Sequence, residues 1–229
     1  MRALHVAITL LVVGLYAVAQ HTPATSPLPS SDRTEVHNHD HNTHEDEYGA
    51  AVSYAELKKT LGQLDLAREA TAKYRDARVA EADGYRNLGG MPGIGLHFVL
   101  TADPDAFELE KPPILIYEED PSVPGGYSLA GLSYLLKDKE GPDGQPVNNP
   151  FPKPLAMWHK HEHICIFKDL SGHTDKLSED QCTQQGGHFV KETQWMIHAW
   201  VWKDSPLGVF SPKNPRVSLS VSQQAGSAQ

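Results

Sequence analysis

The chain has 229 residues and a formal charge of −9, from 29 acidic against 20 basic side chains. That balance argues against nucleic acid, whose phosphates select a basic surface, and suits an exported protein that attracts cations without choosing among them. About 180 residues are left for a single core once low-complexity ends are set aside, and no internal repeat or second domain is visible.

Residues 1–19 have the form of a signal peptide: Met1-Arg2-Ala3, an apolar stretch over residues 4–18 interrupted by His5, and Ala17-Val18-Ala19 ahead of the cleavage point. The apolar run is shorter than the roughly 20 residues of a spanning helix. The reading is therefore a secreted or periplasmic protein with no stable membrane insertion after cleavage. Residues 20–52 carry Pro23, Pro27 and Pro29, then His37, His39, His41 and His44 among Asp, Asn and Glu. Such a segment has no means of building a core and reads as a disordered, His-rich arm. Imidazoles spaced one residue apart on a flexible chain chelate Cu(II), Ni(II) or Zn(II) with little geometric demand; an acidic spacer is the alternative.

Ser53-Tyr54-Ala55-Glu56 has the form of a capping box. Apolar or small residues then recur at Leu57, Leu61, Leu64, Ala67, Ala70, Tyr74 and Ala77, which predicts one long amphipathic helix ending near Gly84. The glycine-rich run from Gly89 to Gly95 follows a helix and precedes a strand, the reverse of a dinucleotide fingerprint, and reads as a turn. Strands are expected over residues 94–100, 114–118, 127–137, 155–167 and 194–203, with a short helix over 178–185 capped by Ser178. The predicted class is α+β: a mainly antiparallel sheet packed against the long N-terminal helix, one globular domain over 53–218 and a flexible tail over 219–229. Trp195, Trp200 and Trp202 read as core packing.

Cys165 and Cys182 are the only cysteines. In an oxidising compartment their disulfide is the expectation, worth on the order of 3 kcal/mol through the unfolded chain; thiolate ligation of a metal is the alternative.

The strongest local feature is Trp158-His159-Lys160-His161-Glu162-His163-Ile164-Cys165. On a strand, alternate side chains share a face, so His159, His161, His163 and Cys165 would project together. Imidazoles at i and i+2 have Cα atoms about 6.5–7 Å apart and can lean onto one ion, whereas His159 and His163, about 13 Å apart, are too distant to share one. Further ligands have to come from other strands. His97 and His198 sit in apolar strands, where an imidazole is costly unless its nitrogens are satisfied, and Glu118 or Glu119 could supply an oxygen. An imidazole-rich set points to copper or zinc as the cofactor rather than calcium or magnesium. Met157 and Met196 read as core filler before they read as thioether ligands.

The segments Gly93-Ile94-Gly95-Leu96-His97-Phe98, Trp158-His159-Lys160-His161 ahead of Cys165, and His198-Ala199-Trp200-Val201-Trp202-Lys203-Asp204-Ser205-Pro206 with Asn214-Pro215-Arg216-Val217 resemble a family of uncharacterised secreted bacterial proteins. The likeness spans about residues 67–218. It implies a shared fold and carries no activity.

Three functions stay open at this point. The first is a copper- or zinc-binding protein whose arm collects ions that the sheet holds through His161, a neighbouring histidine, His97 and His198. The second is a metal-dependent hydrolase or oxidoreductase, with Glu118, Glu119 or Glu162 as its base. The third is a metal-free envelope or interaction protein whose histidines answer to acid.

Overall fold

A computed structural model describes residues 51–100, 106–167 and 173–219, all within one compact unit, His44–Gln229. The signal peptide, the arm histidines His37, His39, His41 and His44, and residues 220–229 of the tail lie outside the described residues.

The helical run begins as its capping box dictates: Ser53 Oγ accepts from Glu56 N at 3.2 Å, and the Glu56 carboxylate accepts from Ser53 N at 2.9 Å. Helix α1 covers Tyr54–Thr71. The continuous helix expected to reach Gly84 does not form. The chain tightens into a 3-10 turn, Ala72–Arg75, and restarts as α2, Ala77–Ala82. Asp76 causes the break, because its carboxylate accepts from Arg78 N at 3.1 Å and caps α2 while its own backbone is extended. Leu64, Ala67, Tyr74, Ala77 and Ala80 of the expected stripe are buried, but Leu57 and Leu61 are exposed.

Then follow β1 (Tyr85–Met91), β2 (Gly95–Leu100), β3 (Ile114–Glu119), β4 (Tyr127–Leu136), β5 (Glu162–Ile166), β6 (His173–Thr174), helix α3 (Glu179–Gln184), β7 (His188–Glu192) and β8 (Trp195–Ala199). Five strands make an antiparallel sheet in the order β1-β2-β3-β4-β8, and three make a second antiparallel sheet in the order β6-β5-β7. The class is α+β.

Two readings of the sequence need correction here. Gly89 and Gly90 lie inside β1, where they form a bulge, and the turn proper is Pro92–Ile94. A Cβ at Gly90 would stand 1.8 Å from Gly95 O, so the strands can meet there only if the residue is glycine. The strand expected over 155–167 contracts to β5. Ahead of it the chain is irregular and touches β8 through one bridge, His159 to Met196. His163 takes φ 57, which breaks the alternation. The four side chains from His159 to Cys165 therefore do not share one face.

In the large sheet alternation is kept, and it sorts the residues. Leu96, Phe98, Leu115, Tyr117, Leu132, Tyr134, Ile197 and Ala199 join the main core with Leu64, Ala67, Tyr74, Ala77 and Ala80 of the helical run. Tyr117 Oη donates to Tyr74 O at 2.6 Å, and Trp202 Nε1 to Thr71 Oγ1 at 3.2 Å. The opposite face carries His97, Ile116, Ser133 and His198, with Ile116 joining Ala130, Trp200 and Val217 in a smaller cluster. The disulfide Cys165–Cys182 is formed, with a sequence separation of 17, and ties β5 to α3. A Cβ at Gly187 would stand 2.5 Å from Cys165 Sγ, which reserves that position for glycine. Among the described residues no helix is long and apolar enough to cross a membrane.

Candidate metal centre

His97 and His198 reach the second face of the large sheet because each alternates with core residues: Leu96 and Phe98 on β2, Ile197 and Ala199 on β8. His97 lies opposite Ile116 of β3, and His198 opposite Ser133 of β4. Their rings lean together, with centres 5.6 Å apart.

The irregular segment before β5 brings the next two histidines. Trp158 is buried, and its Nε1 donates to Asn149 Oδ1 at 2.7 Å, which fixes the chain as it enters the site. His159 N then donates to Met196 O at 2.9 Å and Met196 N to His159 O at 2.7 Å, laying the segment against β8. Two residues on, His161 N donates to Thr193 Oγ1 and Thr193 N to His161 O, both at 2.9 Å. The ring of His159 stands 5.3 Å from that of His198 and 5.1 Å from that of His161. A fifth ring comes from β6, where His173 stands 6.3 Å from His97.

Three of these rings are oriented from behind. His198 Nδ1 bonds Pro212 O at 2.9 Å, His159 Nδ1 bonds Met157 O at 3.2 Å, and His173 Nδ1 bonds Leu88 O at 3.2 Å. A carbonyl can only accept, so each Nδ1 carries the proton and each Nε2 keeps a lone pair. Pro212 is held in place by its neighbours: Trp200 Nε1 donates to Ser211 O at 2.7 Å, and Asn214 N to Gly93 O at 2.7 Å. That lacing uses the Gly93, Trp200 and Asn214 segments singled out in the sequence.

The inner end of the cluster is sealed. His198 Nε2, His97 Nδ1 and Ser133 Oγ are shielded from solvent and have no hydrogen-bond partner among the described residues. His97 is half-buried as a residue although its Nδ1 is enclosed, whereas His198 and Ser133 are buried outright. Burial holds His97 well below the ordinary imidazole pKa, helped by repulsion from His198, His173, His161 and His159. His198 is pushed down to about 3, first by burial and then by His159. His159 is lowered by burial, and His161 by burial and by His159. At neutral pH these four imidazoles are uncharged, the form that can donate a lone pair to a metal.

Of the residues proposed from sequence, the fold brings together His97, His159, His161 and His198. It places Glu118 elsewhere: both its oxygens accept from Lys203 Nζ, at 2.6 and 2.7 Å. His163 is also apart, exposed on β5 with its ring stacked on Phe189 at 6.0 Å, and Cys165 is consumed by the disulfide. Sequence reasoning missed His173. It sits alone in a two-residue strand with no apolar alternation around it, so only the pairing of β6 with β5 reveals it. Ser133 was missed as well, although it is the one polar residue in the buried run Leu129–Tyr134 apart from the backbone of Gly131. Comparison with protein-family models, curated proteins and solved structures returned no match.

Proposed function

We propose that the protein binds a transition-metal ion, copper or zinc, through His97, His159 and His198, on a sheet backed by the N-terminal helical run. One observation carries the reading. His198 has its Nδ1 anchored on Pro212 O while its Nε2, buried and unpaired, belongs to a ring flanked by His97 and His159. A carbonyl behind and a metal in front is the usual state of a ligating histidine.

The spacing supports it. Two imidazoles on one tetrahedral ion, with metal–nitrogen bonds of about 2.1 Å, have ring centres about 5 Å apart. The His159–His198 and His97–His198 separations are 5.3 and 5.6 Å. Among the described residues no three His, Cys, Asp or Glu side chains already close around a point where an ion would sit. Binding therefore draws the rings inward by side-chain rotation, a cost set against the roughly 1–3 kcal/mol carried by each buried nitrogen left unpaired. Among the described residues the rings in contact there are all imidazoles, a donor set that favours copper or zinc over harder, oxygen-seeking ions.

An enzymatic role would need a base beside an open coordination position. Of the candidates read from the sequence, Glu118, Glu119 and Glu162, the first is engaged by Lys203 and the last is exposed on β5.

The test is a titration of the full chain with Zn(II) and Cu(II) after His37, His39, His41 and His44 are each replaced by alanine, which removes the arm from the count. The folded domain should still take up metal, and His198→Ala should abolish uptake at the inner position. Unchanged stoichiometry and affinity in His198→Ala would end this proposal.

A further inference from the structure

We propose that the outer face of α1 is an interface between two copies of this chain, which pair antiparallel about a two-fold axis between Leu61 and Gly62. Nothing in the pairing calls on the histidine cluster.

Helix α1 buries one line of residues against the domain: Thr60, Leu64, Ala67 and Thr71. Ahead of that line it stands clear, and every residue from Tyr54 to Lys59 is exposed. Leucines scattered singly over a surface are ordinary. Here, however, Tyr54, Lys58, Leu61, Asp65 and Glu69 follow one another at intervals of four, three, four and four residues, so they form one stripe, with Gly62 at its border. All six are exposed, Tyr54 by 80 % and Leu61 by 53 %. The stripe lies about 140° around the helix from the buried line, so a partner can take it without disturbing the domain.

Gly62 adds a second observation. A glycine inside a helix destabilises it relative to alanine. Nothing within the chain asks for one, since a Cβ there would meet no atom within 4 Å outside the helix's own backbone, and the residue is not left-handed. A second helix passing close by supplies the reason, because the distance between packed helices is set by the side chains at the contact. Antiparallel pairing through this point sets Leu61 of each copy over the bare backbone of Gly62 in the other. The same register sets Lys58 against Asp65 and Tyr54 against Glu69, each twice, as two-fold symmetry requires. Neither Lys58 nor Asp65 has an ion-pair partner among the described residues. A parallel pair would instead bring Lys58 to Lys58 and Asp65 to Asp65. Flanking charges choose partner and orientation in helix pairs, so this pattern selects a second copy running the other way. One helix of 18 residues, about 27 Å long, gives a small interface. Contacts below about 1,200 Å² belong to weak, reversible associations, so the dimer forms at high micromolar concentration.

The experiment is sedimentation equilibrium of the full chain from micromolar to millimolar concentration, in EDTA so that no metal bridges histidines of two copies. The mean mass should rise towards twice that of one chain. Leu61→Glu should hold it at the monomer mass. Lys58→Glu and Asp65→Lys should each weaken the dimer at least about fivefold by bringing like charges together, and the two combined should restore the parent affinity within about threefold. These positions are exposed, so the variants keep the fold, which circular dichroism checks. Gly62→Leu should dissociate the dimer yet leave the melting temperature of the monomer unchanged or higher, since leucine is the better helix former. A monomer at every concentration overturns the proposal, whether the stripe is then bare or covered by the chain's own arm. A dimer indifferent to Leu61→Glu overturns it too, since it would use another surface. A double charge variant no better than the single ones would overturn the antiparallel register.

Discussion

The rings of His97 and His198 stand 5.6 Å apart although β3 and β4 separate the strands that carry them. At about 4.8 Å per strand the two backbones are about 14 Å apart, so each side chain has to lean inward across the sheet. Ile116 and Ser133 are the residues paired beside them, and a Cβ at Gly131 would meet the Trp200 ring at 2.8 Å. Two imidazoles facing each other over the two intervening strands form one device, and their effects on metal should not add.

The first prediction follows from that coupling. His97→Ala and His198→Ala should each weaken Zn(II) binding at the inner position at least a hundredfold, and the double variant should be little worse than either alone, because one lost ligand already opens the site. Competition against a chromogenic chelator measures this. Independent, multiplying losses would show that the two rings do not serve one ion.

Acid sensitivity is the second expectation. Folding lowers the pKa of His97 and takes that of His198 to about 3, against an unfolded value of about 6.5. Between the folded and unfolded values the unfolded chain binds more protons, so this stability is fully present above about pH 6.5 and is lost as pH falls below it. Each such imidazole adds a slope of up to about 1.4 kcal/mol per pH unit in that window. Urea unfolding from pH 7 to 5.5, above the range where carboxylates dominate, should show a falling midpoint, and His198→Asn, whose amide can replace the bond to Pro212 O, should flatten the dependence. A midpoint that stays constant over this range argues against buried neutral imidazoles.

Ser133 gives a third. Its hydroxyl is buried, lies opposite His198 and has no partner among the described residues. Removing an unpaired buried hydroxyl relieves a desolvation cost of about 1–3 kcal/mol, offset by the small cavity left behind. Without metal, Ser133→Ala should melt at the same temperature as the parent or higher. With Zn(II) bound the variant should lose part of the ligand-induced rise in Tm if the hydroxyl, carried opposite His198, hydrogen-bonds a ligand completing the ion's shell. A clear drop in Tm without metal would mean that the hydroxyl is paired in the folded protein.

How much of this was legible in the sequence depended on whether a local rule was left unopposed. The strands β2, β3 and β4 announced themselves because β-branched and aromatic residues alternate cleanly between proline and glycine boundaries. The same alternation marked His97 and His198 as anomalies on apolar strands, the correct clue to the inner face. The histidine run 159–163 misled because its period of two imitates a strand. Pairing partners are not displayed by a sequence: a continuous ladder starts only at Glu162, a single bridge at His159 precedes it, and His163 has left-handed backbone. Asp76 hid the break in the helical run, since a capping residue and a surface residue look alike within an unbroken stripe. His173 was invisible because its approach to His97 depends on the pairing of β6 with β5 and on nothing within reach along the chain.

The last prediction concerns the disulfide, since His173, whose ring stands against His97, lies within the loop that Cys165 and Cys182 close. β6 is two residues long and pairs only through Cys165 and Ile166, so its position depends on β5 being held against α3. The link should stabilise the domain by about 3 kcal/mol through the unfolded chain. Its larger local effect is on β6, where few contacts would otherwise oppose fraying. His97, His159 and His198 are fixed by the large sheet, by the bridge to Met196 and by Pro212, and none of these passes through the disulfide. Replacing both cysteines by serine should therefore lower Tm by several degrees and leave the Zn(II) affinity at His97, His159 and His198 within a few fold of the parent. Thermal melting, and titration with Zn(II) below the variant's Tm, measure the two effects. A large loss of affinity would mean that the second sheet and the inner rings move as one unit.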